Sequence, residues 1–182
     1  MSIKPDRSLI DGIIIRNRFY DFSIKDISKN ISSVFNIAIT LPNEFKELPY
    51  TYKMLKFPSH PRPAYILSNK NYSINITFSE INFPSKYNIK NNLEIVQNNM
   101  KRMNPSYVFD EITDVKLDKY CVIRQEFSGI ALDDEIYNLN CFIHIKERLL
   151  IVGFICPLRL KDNWKNIFLK IAESITIEKE NI

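Results

Sequence analysis

The sequence predicts an α+β fold in which a mainly antiparallel sheet carries two long helices as a layered α/β/α sandwich. Three observations predict it. Short segments between Phe35 and Cys156 alternate apolar and polar residues with period two, as half-buried strands do. Two longer segments, near 87–103 and 162–175, repeat apolar residues at helical spacing. Most strands follow one another across turns too short for a crossover helix, so neighbours must run antiparallel. Both helices must then bury their stripes on the sheet.

Residues 13–22, opened by Gly12, read as a strand or extended segment. Ser23 followed by Asp26 resembles a capping box, and Ile24, Ile27 and Ile31 repeat at helical spacing, predicting a short helix. Phe35, Ile37, Ile39 and Leu41 alternate with polar or small residues and predict a strand ended by Pro42. Another short helix is expected within 44–56, and the three prolines of 57–63 enforce an extended loop. Segments 64–68 and 73–79 make a hairpin, with Ile74, Ile76 and Phe78 on one face and Asn75, Thr77 and Ser79 on the other. The helix at 87–103 presents Leu93, Val96, Met100 and Met103 as its stripe, with Lys101 and Arg102 in its last turn. Pro105 stops it. Strands follow near 107–115, 120–128, 135–146 and 149–156, the last two joined by a tight turn near Glu147 and Arg148. A final helix places Leu160, Trp164, Ile167, Ile171 and Ile175 toward the core. The expected division is a strand and short helix at 1–33, part of or appended to one sandwich domain at 34–176, with a frayed charged tail at 177–182.

A chain of 182 residues is one ordinary domain and buries roughly 70% of its unfolded surface without metal or disulfide staples. Its 45% hydrophobic and 25% charged residues exclude disorder and collagen-like fibre. Only Gly12, Gly129 and Gly153 are glycine, which argues against a glycine-built phosphate loop. Twenty-five basic residues against 21 acidic ones leave a mild +4, with no basic run of the kind nucleic-acid tails carry. The apolar stretch at 149–156 is far short of the ~20 residues of a membrane span. Asp11, Gly12 and Arg16 interrupt any signal-peptide core, and no lipobox-like cysteine follows, so a cytoplasmic location is expected. Cys121, Cys141 and Cys156 lack CxxC spacing and read as reduced, buried thiols.

The element order with its closing Trp-bearing helix resembles the PsbP/Mog-like superfamily. So do the strings Phe35-Asn-Ile-Ala-Ile-Thr-Leu-Pro42, Asn104-Pro-Ser-Tyr107, Ala131-Leu-Asp-Asp-Glu-Ile-Tyr-Asn-Leu139 and Gly153-Phe-Ile-Cys-Pro157, which are similar to a bacterial branch of it. The resemblance covers about 35–175. It implies an α+β sandwich of a kind used by a photosystem subunit, a Ran-binding import factor, lipoproteins and secretion-effector chaperones. No motif matches a known site of that superfamily, so no functional residue is carried over.

Candidate sites come from the residues alone. Cys156 ends a strand just before the last helix, where a dipole could activate a thiol, with His144 or His60 as base and Asp133 or Asp134 as orienting acid. Beside Phe154 and Ile155 its default reading is one more apolar strand residue of the core. Cys141 and His144 have metal-like spacing, but residues three apart on a strand face opposite ways, so no metal is expected. Asp133, Asp134 and Glu135 read as a solvated turn. Asn138, Asn140 and His144, with Asn75 and Thr77, put polar groups on one sheet face and offer a ligand or partner groove. The proline-stiffened segment with Tyr50, Tyr52, Phe57, His60 and Arg62 has the low ordering cost that suits protein recognition.

The expected function is a non-enzymatic cytoplasmic protein-binding module of chaperone or adaptor type, with a protein partner and no cofactor, nucleic acid or membrane. Self-association through a sheet edge or the segment before Ser23 is a further expectation. The alternative is a small-molecule-binding protein or weak hydrolase built on the polar sheet face.

Overall fold

The computed structural model describes residues 22–26, 35–117, 120–131 and 134–179. In chain order these form β1 (Phe22–Asp26), β2 (Phe35–Pro42), β3 (Lys46–Glu47), α1 (Tyr50–Lys56), β4 (Tyr65–Ser68) and β5 (Asn75–Asn82). Then come α2 (Ile89–Met103), β6 (Val108–Phe109), β7 (Thr113–Leu117), β8 (Tyr120–Ile130), β9 (Glu135–Ile145) and β10 (Arg148–Pro157). A 3₁₀ turn (Leu158–Leu160), α3 (Lys161–Glu173) and β11 (Thr176–Lys179) complete the series. The class is α+β with a mainly antiparallel sheet, as the alternation predicts.

An eight-stranded sheet runs β3-β4-β5-β10-β9-β8-β6, with β7 also paired to β8, and a second sheet runs β1-β2-β11. Every strand pairing among the described residues is antiparallel. The centre is the β9–β10 hairpin, which turns at Lys146 and Glu147, with Lys146 in the left-handed region at φ 55°.

Alternation decides the two faces. On one, Tyr137, Leu139, Cys141 and Ile143 of β9 lie with Leu150, Val152, Phe154 and Cys156 of β10. They pack beneath Trp164, Ile167, Phe168 and Ile171 of α3 and against Ile37, Ile39 and Leu41 of β2. Trp164 is fully buried, with Phe45 at 5.9 Å and Phe168 at 5.5 Å between ring centroids. Each such side chain contributes about 1.5–3 kcal/mol through burial, so this core dominates the stability. The other face carries a smaller cluster of Leu93, Ile123, Phe142 and Leu149, on which α2 sits.

Four expectations are corrected. Residues Phe22–Asp26 form strand β1 rather than the start of a helix. They pair with β2 from Phe22↔Pro42 to Asp26↔Ala38, and such pairing outweighs a capping signal in a segment too short to nucleate a helix unaided. The other N-terminal readings, at 1–21 and 27–34, lie outside the described residues. The tail is not frayed at its start, because β11 pairs with the opposite edge of β2 and Ile177 is buried. The strand expected at 107–115 is two strands: between the pairs Phe109↔Phe127 and Thr113↔Arg124, three residues face two on β8. That extra residue makes a bulge and breaks a period-two reading. In α2, Leu93 is buried but Val96 and Met103 are 45% and 86% exposed, so the helix meets the sheet through its N-terminal half.

Candidate functional site

Helix α1 has seven residues and buries none of its side chains. Tyr50 and Leu55 are 74% and 69% exposed, and Tyr52 and Met54 are exposed beside them. Pro49 precedes the helix without a side-chain cap. Its tertiary ties are few. The Tyr52 ring lies 4.2 Å from that of Tyr72 at the tip of the β4–β5 hairpin, and Lys53 Nζ donates to the Ala64 carbonyl at 3.4 Å. Tyr72 itself holds φ at 64°, a left-handed conformation that is costly for a non-glycine residue.

The loop after α1 is fastened by Arg62. Its guanidinium donates to the carbonyls of Phe57 and Pro58 and to His60 Nε2 at 2.6 Å. Arg62 and His60 are thus brought together as an internal clasp, while Tyr50 and Tyr52 stand out from it on α1. The sequence reading missed Met54, Leu55 and Tyr72. The signal that could have found them is charge: no Asp or Glu occurs between Glu47 and Glu80.

The polar residues share one sheet face, and most of them are buried. The register aligns Asn75, Ile155 and Asn138 in one row and Thr77, Gly153, Asn140 and Gln125 in the next. Asn75, Thr77, Gln125 and Asn138 are all buried. Thr77 Oγ1 donates to the Gly153 carbonyl at 3.3 Å. A Cβ at Gly153 would lie 2.5 Å from Thr77 Oγ1 and 2.9 Å from Asn140 Oδ1, so those side chains close over the glycine. Asn75 Oδ1, Gln125 Nε2 and Asn138 Nδ2 have no hydrogen-bond partner. His144 shares the face with Leu149 opposite, its Nε2 3.0 Å from the Phe83 carbonyl and its ring edge-on to Phe83.

The structure does not bring the hydrolase candidates together. Cys156 pairs with Tyr137 on the α3 side and is fully buried. His144 lies on the opposite face, seven residues farther along β9, or about 23 Å at roughly 3.3 Å per residue. Burial pushes the Cys156 thiol up to about 12, against the smaller pull of Arg159, so it is not a poised nucleophile. Burial likewise raises Cys141 to about 12. Asp133 and the Cys121 side chain lie outside the description, and Asp134 Oδ1 accepts from the amide of Glu135 at 2.8 Å. A cleft between β7–β8 and α3, with Val115, Arg124, Cys141 and Leu169 in its wall, contains neither Cys156 nor His144. No three His, Cys, Asp or Glu side chains converge as metal ligands among the described residues. No described helix is long and apolar enough to cross a membrane.

No family model matches the sequence, and no curated protein matches it. Solved structures do. Cyanobacterial PsbP (CyanoP) from Synechocystis sp. PCC 6803 superposes with TM-score 0.63 at 12% identity, covering 88% of this chain and 94% of its own. LpqN of Mycobacterium tuberculosis, described as involved in cell envelope biogenesis, gives 0.58 at 12% identity over 86% of this chain and 91% of its own. The Saccharomyces cerevisiae Ran-binding protein Mog1p gives 0.55 at 8% identity, over 87% and 96%. The likeness is one of architecture over nearly the whole of each chain, and the protein has the PsbP/Mog-like fold.

Proposed function

We propose that the chain is a non-enzymatic protein-binding module of chaperone or adaptor type, with α1 and the clasped loop after it as its contact surface. One observation carries this reading: α1 is short, has no side-chain N-cap and is unburied, yet leaves four large apolar or aromatic side chains, Tyr50, Tyr52, Met54 and Leu55, exposed within two turns. Helices gain most of their stability from burying a face, and large exposed apolar side chains gathered in one place mark interaction sites. Arg62 and His60 stiffen the loop, which lowers the ordering cost of binding. Mog1p, a protein of this fold, is Ran-binding, which accords with the scaffold serving protein partners. A cytoplasmic location belongs to the same proposal and is supported by the free buried thiols Cys141 and Cys156.

Affinity capture from native lysate, followed by mass spectrometry, tests it. The expected result is a dominant protein partner that is lost from the Tyr50→Ala, Leu55→Ala double variant. A partner retained equally by that variant, or an empty capture, sinks the proposal.

A second reading, a small-molecule site on the polar face near Asn138, Asn140 and His144, has one observation behind it. Three buried amide atoms there, on Asn75, Gln125 and Asn138, lack partners, and each such atom costs about 1–3 kcal/mol until something satisfies it.

A further inference from the structure

Charge is distributed unevenly along this chain. Residues 48–79 contain Lys53, Lys56, Arg62 and Lys70 and no Asp or Glu, whereas the other 21 basic residues are matched by 21 acidic ones. The whole formal charge of +4 therefore falls within this one segment. The fold concentrates it further. The Tyr52–Tyr72 contact at 4.2 Å brings the hairpin tip, with Lys70, against α1. Lys56 sits in the last turn of α1, and both Lys56 and Lys70 are exposed. Tyr50 and Met54, one helical turn apart, and Leu55 supply exposed apolar area on the same short helix as Lys56.

Resting on the protein-binding reading, we propose that α1 and the hairpin tip dock an acidic protein segment, its apolar side chains meeting Tyr50, Met54 and Leu55 and its carboxylates meeting Lys56 and Lys70. Tyr72, with φ at 64°, lies in the same hairpin turn as Lys70 and meets Tyr52 through its ring. Glu44 adjoins Lys70, its carboxyl raised by burial in spite of that lysine, and Glu47 lies toward Tyr65.

A nucleic acid fits less well. Arg62 is spent on its own loop and Lys53 reaches the Ala64 carbonyl, which leaves two lysines for phosphates. Two phosphate contacts supply little of the electrostatic affinity on which nucleic-acid binding rests.

The probe is a display library of random peptides selected on the full chain. The expected enriched peptides place Asp or Glu beside Leu, Phe or Trp. A synthetic peptide of that consensus should bind about tenfold more weakly to the Lys56→Glu, Lys70→Glu variant, with affinity falling as salt rises. It should weaken similarly with Tyr50→Ala, Leu55→Ala. All four positions are exposed, so unchanged melting temperatures certify the variants as folded. Neutral or basic consensus peptides, or binding indifferent to the lysine pair, overturn the acidic partner while leaving α1 as a docking helix. Binding indifferent to both pairs overturns this inference and the reading beneath it. Lysine-dependent binding of a single-stranded oligonucleotide with no peptide enriched, or a dimer in light scattering abolished by Tyr50→Ala, Leu55→Ala, also overturns the inference by naming a different occupant.

Discussion

The two long helices lie on opposite faces of the same sheet. In α3, Trp164, Ile167, Phe168, Ile171 and Ala172 are buried; in α2, longer by two residues, only Leu93 is. Both show apolar residues at helical spacing in the sequence. The difference lies in what surrounds them. α3 shares its core with the large sheet and with Ile37, Ile39 and Leu41 of β2. α2 rests on the second face over Ile123, Phe142 and Leu149, and leaves Ile95, Val96 and Met103 exposed. An amphipathic stripe states which side of a helix can be buried. How much of it is buried depends on how many layers close around it.

That comparison can be broken by mutation. Trp164→Ala should have the largest effect, about 3 kcal/mol or more in urea unfolding, because it empties a fully buried site between Phe45 and Phe168. A loss below about 1 kcal/mol would mean that α3 is not the anchor described. Leu93→Ala should cost about 2 kcal/mol, at the low end for a buried leucine because its cluster has few members and can relax. If it matched Trp164→Ala, the two faces would be energetically equivalent and the contrast would fail.

A smaller effect should appear in acid. Burial pushes the Glu126 carboxyl up, but hydrogen bonds from Lys165 and Tyr137 and the charges of Lys165 and Lys161 outweigh it, so its pKa falls below the ordinary 4.5. Glu126 joins β8 to α3 through Lys165 at 2.6 Å, and to Tyr137 of β9 at 2.8 Å. A carboxyl lowered on folding stabilises fully above its unfolded pKa and loses that contribution as pH falls through the folded one. Stability should therefore drop by about 0.5–1 kcal/mol below pH about 4.5, the size expected of a partly exposed pair. Glu126→Gln should flatten the pH profile of unfolding in that window. An unchanged profile would remove this tie from the account of α3.

The candidate surface was only partly legible. Prolines and aromatics drew attention to Tyr50, Tyr52, His60 and Arg62, because stiff aromatic loops have a recognisable composition. Sequence spacing did not reveal that Arg62 turns inward onto Phe57 and Pro58, nor that Tyr72 comes from another element to stack on Tyr52. The same holds for Cys156 and His144. Their residue types suggest a catalytic pair, and only the register puts them on opposite faces.

The sequence by itself determined β2, the β4–β5 hairpin, the long strands β8 to β10 and the buried face of α3. Each is decided by side-chain alternation or helical spacing within a few residues, and those periodicities are local. Tertiary structure alone decided the pairing of β1 and β11 with the two edges of β2, the bulge between β6 and β7, the thin burial of α2 and the exposure of α1. These depend on hydrogen bonds and packing partners far away in the chain, and a local pattern can permit such partners but cannot supply them.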